Sequence, residues 1–235
     1  MAEKTLGILG GLGPLATVYF MDLIVKMTEA KKDQDHISMI VLNHAAIPDR
    51  TDFILDNSKP NPLPMMIDDA KKLQAAGSDY VVMPCNTAHF FYEQIQRNIE
   101  IPMLNIIEET VRFACEKGVK KLGILATKGT VSAGSYQRMC EKFGIEWAVP
   151  SLQDEQSLMN IIYNQVKAGK EINITEFLKI VENMKADGCD AVTLGCTELS
   201  VINKDFALCR EDIIDSLEVL AKRSIELCEK KVKVI

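Results

Sequence analysis

The 235-residue chain has no C-x-x-C pair, although it carries seven cysteines, at 85, 115, 140, 189, 196, 209 and 228. Its three histidines, 36, 44 and 89, show no metal-ligand spacing relative to those thiols. Zinc and a disulfide scaffold are both disfavoured, and free thiols are the simpler reading. No apolar run approaches the ~18 residues of a membrane helix. The opening MAEKTLGILGG lacks a basic n-region and a cleavage site. A soluble, cytoplasmic protein with no membrane partner is expected. A basic stripe is missing too: 27 Lys and Arg against 33 Asp and Glu give a net charge of −6, spread along the chain. That balance speaks against nucleic acid as a partner.

What is present is a repeat. Residues 70–89 read AKKLQAAGSDYVVMPCNTAH and residues 181–200 read VENMKADGCDAVTLGCTELS. At a constant offset of 111, Gly77 falls on Gly188, Asp79 on Asp190 and Cys85 on Cys196. Leu6-Gly7-Ile8-Leu9 recurs as Leu122-Gly123-Ile124-Leu125. The period is far longer than that of a solenoid and implies a duplicated domain of about 100 residues. With 47% apolar residues the chain can bury one or two proper cores.

Apolar strands are expected at 5–9, 37–43, 80–84, 121–126, 145–149 and 190–194. Helix-period runs cover 15–31, 62–76, 106–117, 131–143, 154–168, 174–187 and 211–231. Strands without strict alternation, separated by helices, imply an α/β fold: two pseudo-symmetric, duplicated domains, each a mainly parallel sheet flanked by helices. The expected halves are 1–103, joined by 211–235, and 104–210. Ligands of such folds bind beyond the carboxyl ends of the strands, and one matched thiol per half suggests a site between the halves. The polar segment 43–64 reads as a lid or binding loop.

Each half ends a strand in a cysteine followed by small polar residues. A thiol there, next to unpaired backbone N–H groups and the positive end of a helix, is drawn toward thiolate. One sulfur on each side of a site is what removing a proton from one face of a carbon and returning one to the other requires. Cys115, Cys140 and Cys228 sit in helical patterns and read as small core hydrophobes. His89, one helical turn from Cys85, reads either as a base or orienter or, more in keeping with a lone histidine, as a capping or core residue. Glu198, beside Cys196, would oppose thiolate formation if unpaired. The loop Gly11-Leu12-Gly13-Pro14-Leu15-Ala16 contains a permissive G-x-G-x-x-A, but strand 37–43 ends in Asn43-His44 rather than an acid. A dinucleotide is therefore rejected in favour of close backbone approach to a small substrate at Gly11.

PCNTAH at 84–89, GCTELS at 195–200 and GILGGLGPLAT at 7–17 resemble the aspartate/glutamate racemase family, and within it the aspartate racemase branch, which is independent of pyridoxal phosphate. The resemblance runs from about residue 5 to about residue 225. Glu198 stands where glutamate racemases usually carry His, which favours the aspartate branch. The resemblance implies Cys85 and Cys196 as the two catalytic acid/base thiols, no cofactor and no metal, an acidic amino acid as substrate, and a homodimer. By motif position it implies Asn86, Thr87, Thr127 and Thr197 around the α-carboxylate. Arg50 matches a cation for the distal carboxylate, and Lys167 a second cationic position. A maleate-isomerase-like or hydantoin-racemase-like enzyme, or a non-catalytic dicarboxylate-binding protein, remains the alternative.

Overall fold

The structure, a computed structural model, describes residues 3–208 and 210–233. Cys209, among the thiols read as free, lies outside the described residues, as do 1, 2, 234 and 235 at the ends of the expected first half.

Along the chain lie β1 (Thr5–Gly10), α1 (Pro14–Met27), β2 (Ser38–Asn43), α2 (Arg50–Leu55), α3 (Leu63–Ala75), β3 (Tyr80–Val82) and α4 (Tyr92–Gln96). These form a first compact unit, which runs to Ile106 and resumes at Leu217. The second unit, Ile107–Ser216, takes α5 (Ile106–Glu116), β4 (Lys121–Ala126), α6 (Lys128–Ser132), α7 (Ser135–Phe143), β5 (Glu146–Ala148), α8 (Leu152–Asn160), α9 (Ile174–Ala186), β6 (Ala191–Gly195), α10 (Thr197–Asp205) and β7 (Ile213–Asp215). The last helix, α11 (Ser216–Leu227), returns to the first unit, where Lys230 Nζ meets a Glu3 carboxylate oxygen at 3.2 Å.

Both sheets are parallel throughout, ordered β2-β1-β3 and β5-β4-β6-β7. Helices flank each sheet, so the central strands are apolar on both faces: every residue of β6, and all but the first of β1 and β4, is buried. In the first unit Leu9, Met66, Leu73, Val81 and Phe91 form the core that also takes in Cys85. No helix among the described residues is long and apolar enough to cross a membrane.

The sequence repeat has a physical basis. Each copy ends a helix with a glycine at positive φ, Gly77 at +95° and Gly188 at +85°. The glycine N–H donates to Gln74 or Lys185, and the next N–H to Leu73 or Met184. Each following aspartate then clamps the opening strand. Asp79 accepts the Thr5 N–H at 2.8 Å and Asp190 the Lys121 N–H at 2.9 Å, while each gives its own N–H to the same residue's carbonyl. These backbone bonds, the largest cause in both cases, hold both carboxyls below the usual range. Gly77→Ala is expected to cost about 1–2 kcal/mol, purely through the left-handed backbone, because a Cβ there meets nothing within 4 Å. The midpoint of thermal unfolding should fall by roughly 2–8 °C. Gly77→Asn should cost less, and an unchanged Gly77→Ala midpoint would refute the reading.

Several sequence expectations are corrected. Segment 43–64 is not irregular throughout: Asp49, whose side chain accepts the Asp52 N–H at 3.0 Å, starts α2 at Arg50. The run 131–143 breaks at Gly134, φ +66°, into α6 and α7. The run 211–231 begins with the three-residue strand β7, whose Ile213-Ile214 pair is too short for periodicity to assign. The run 154–168 leaves α-helix at Asn160 for a π-helical turn, Ile161–Val166. Cys140 and Cys228 are buried as expected, but Cys115 is exposed. It falls one residue past Ala114 in the buried stripe Ile107, Val111, Ala114.

Candidate active site

Each unit gathers its own set of the expected site residues at the carboxyl ends of its strands. In the second unit, Ala126 pairs with Gly195, so Thr127 and Cys196 leave neighbouring strands together. Thr127 caps α6, accepting the Thr130 N–H at 3.2 Å. Cys196 is buried and occupies the N-cap of α10, with Thr197 and Glu198 in that helix's first turn. Its Sγ–H donates to Glu198 Oε2 at 3.0 Å. The other carboxylate oxygen, Oε1, lies 4.0 Å from Lys167 Nζ, which also sits 4.3 Å from the centre of the Tyr163 ring. Nothing in the sequence motifs points to Tyr163. Its only signal there is a place four residues before Lys167 in a helix-period run.

The helix end does draw this thiol toward thiolate, through the Glu198 backbone N–H, but that pull is outweighed. Burial, and behind it the Glu198 carboxylate, push Cys196 well above the usual thiol range, with Lys167 pulling the other way. Glu198→Gln should therefore bring the thiolate in at lower pH. Alkylation of Cys196 by iodoacetamide, followed by peptide mass spectrometry across a pH series, checks this. An onset that stays put or moves up would refute it.

The first unit builds its set differently. Cys85 is buried and lies three residues past the end of β3, with its N–H donating to Met83 O at 2.8 Å. Asn86 and Thr87, both buried, open a 3₁₀ turn, Thr87–Phe91, rather than a long α-helix. A helix dipole acts correspondingly more weakly on Cys85. His89 is committed elsewhere. Its Nδ1–H donates to the Cys85 carbonyl at 2.8 Å and its Nε2 accepts the Ile106 N–H at 3.2 Å. Burial pushes the imidazole down to about 4. A neutral ring with both nitrogens occupied by main chain is a structural brace, not a base for the Cys85 thiol.

Arg50 is buried within this unit, at 8% exposure. Its Nη2 donates to Leu12 O at 2.8 Å, and its Nη1 to Pro48 O at 3.0 Å and Ile47 O at 3.4 Å. Among the described residues no carboxylate pairs with it, and Nε–H has no partner. Three carbonyls thus hold a buried cation by one end. The edge bearing Nε–H and a second Nη2–H is the fork that fits a carboxylate with two parallel bonds. Gly11, φ +89°, has a reason of its own to be glycine: a Cβ would collide with the His44 main chain.

The sequence pattern of the Asp/Glu/hydantoin racemase family matches residues 9–223. The chain is 30% identical over 225 residues to the broad specificity amino-acid racemase RacX of Bacillus subtilis (strain 168), covering 94% of this chain and 96% of that one. Picrophilus torridus aspartate racemase superposes with a TM-score of 0.83 at 32% identity, over 98% of this chain and 96% of that one. An aspartate racemase homologue from Pyrococcus horikoshii OT3 does so at 0.78 and 26%, over 97% and 100%. With a family match across nearly its whole length and relatives aligned end to end, the chain belongs to the Asp/Glu/hydantoin racemase family and is an isomerase of the amino-acid racemase type.

Proposed function

We propose that the protein interconverts L- and D-aspartate by two-base proton transfer, with Cys85 and Cys196 serving opposite faces of the α-carbon and no pyridoxal phosphate taking part. The observation that carries the substrate is Arg50, a buried guanidinium with a carboxylate-binding edge and no carboxylate of its own. The relatedness to Picrophilus torridus aspartate racemase supports the same substrate.

One sulfur, as thiolate, takes the α-proton and leaves its electron pair delocalised into the α-carboxylate. The other, as thiol, delivers a proton to the opposite face, and the two exchange forms with each turnover. An amino-acid α-proton is weakly acidic and a thiolate is a modest base. The barrier therefore has to fall through donors fixed around the growing negative charge, a role we assign to Asn86, Thr87, Thr127 and Thr197, with the Gly11 backbone closing on the substrate. We assign Cys196 as the protonated partner at the start of the L-to-D direction, an assignment supported by Glu198 Oε2 at 3.0 Å from its Sγ. Glu198 receives the substrate ammonium, which neutralises the carboxylate that opposes Cys196 ionisation, and Lys167 is the second cation. The enzyme works as a homodimer in the cytoplasm. Exposed Leu15 and Val18 on α1 support an association surface.

The breadth named for the Bacillus subtilis relative favours a second reading, the same proton transfer on a wider set of amino acids. Chiral chromatography of purified protein incubated without added cofactor, with each L-amino acid in turn, decides between them. D-aspartate as the dominant product supports the first reading. Comparable rates across neutral amino acids support the second, and no D-product from any would overturn both.

A further inference from the structure

His44 takes no part in the reaction as described, yet it stands where three segments meet. β1 and β2 end together, with Gly10 paired to Asn43, so Gly11 and His44 leave the sheet side by side. The His44 N–H donates to Gly10 O at 3.3 Å, and its carbonyl accepts the Ile47 N–H at 3.4 Å. The two loops that begin there supply the carbonyls holding Arg50: Leu12 from one, Ile47 and Pro48 from the other.

The His44 side chain ties this junction to α3. Its Nδ1 lies 2.6 Å from Asp69 Oδ2, and the Asp69 carboxylate is buried on the core-facing side of that helix, between Met66 and Leu73. A buried carboxylate needs partners, and a 2.6 Å contact makes Nδ1–H the donor. The other oxygen, Oδ1, has Lys72 Nζ at 3.3 Å, and Lys72 also bonds Asp68 at 2.6 Å. Asp69 therefore keeps a cation when the histidine is removed, and loss of His44 leaves no orphaned charge to unfold the unit.

We propose that His44 and Asp69 form a positioning pair for Arg50, clamping the 44–49 turn to α3 so that the guanidinium edge is held at the place where the distal carboxylate of the substrate must sit. The inference rests on the reading of Arg50 given above. It makes the pair a determinant of dicarboxylate recognition that never touches substrate. A bidentate clamp on the distal carboxylate acts by geometry at a distance from the reacting carbon, so its displacement falls on KM.

Steady-state racemisation of L-aspartate by H44A, H44N, R50A and H44A/R50A tests it, with thermal midpoints measured alongside. The Asn amide nitrogen sits nearly where His Nδ1 does and can still donate to Asp69. H44A is expected to raise KM about tenfold with kcat within twofold. H44N should recover most of that loss, and the double variant should be no worse than R50A, as expected if His44 acts through Arg50. An unchanged KM in H44A beside a raised KM in R50A would overturn the pair alone. Losses that multiply in the double variant, or an H44N as poor as H44A, would do the same. An unchanged KM in R50A would overturn the Arg50 reading and this inference with it.

Discussion

Replacing either Cys85 or Cys196 with serine should lower racemisation by about 10²–10⁴-fold, the contribution of a positioned general acid or base. A serine hydroxyl keeps the volume and a donor but does not ionise in the working range. Both sulfurs are buried, and neither forms a disulfide. The swap is small, and folding should survive it. At Cys196 the serine can still donate to Glu198, as the thiol does now. The two variants should also fail in a specific way. With one thiol left, the surviving base can still remove and return the α-proton on its own face, so slow solvent exchange into one enantiomer persists without inversion. Each variant should favour the opposite enantiomer. Near-normal full-cycle turnover in either single variant, checked by circular dichroism of the amino acid, would remove that cysteine from the mechanism.

Arg50→Ala carries the second large effect. The guanidinium is buried, it has no carboxylate partner among the described residues, and its only acceptors are the carbonyls of Leu12, Ile47 and Pro48. Removing one member of a desolvated charge pair costs about 2–5 kcal/mol in binding. KM for aspartate should accordingly rise at least thirtyfold. Arg50→Lys should not restore it, because an ammonium has no planar fork. The change also leaves the carbonyls of Leu12, Ile47 and Pro48 without their donor, so thermal midpoints are measured beside the affinities. Aspartate titrated into each variant and followed by calorimetry gives the comparison. An affinity within threefold of the parent would show that Arg50 does not read the distal carboxylate.

What the sequence made legible follows from which interactions are local or repeated. The alternation of apolar strands and amphipathic helices, and the matched Gly-x-Asp ahead of each cysteine strand, were open to reading. The reason is that Gly77 with Asp79, and Gly188 with Asp190, perform the same turn and the same strand clamp twice. Elements set by tertiary context were not readable. The Ile213-Ile214 strand is only an edge partner of β6, and the π-helical turn before Lys167 breaks the 3.6-residue period. Among the site residues, Cys196 was identifiable from its motif but its ionisation was not. That depends on burial and on Glu198, and Glu198 in turn lies near a lysine 31 positions earlier in the chain. His89 illustrates the converse. Its spacing from Cys85 leaves a base or orienting role open beside a capping or core one, and the fold decides by committing both ring nitrogens to main-chain groups of Cys85 and Ile106.

Two bases on opposite faces leave their signature in the early time course of L-aspartate in D₂O with purified, cofactor-free protein. The α-proton is read by NMR and the enantiomers are separated before mass analysis. D-aspartate formed in the first few per cent of reaction should carry solvent deuterium at the α-carbon, while the recovered L-aspartate still holds its proton. D-aspartate that retains the original proton, or deuterium appearing equally in both enantiomers from the start, would point to a single base shared by both faces and contradict the assignment of Cys85 and Cys196.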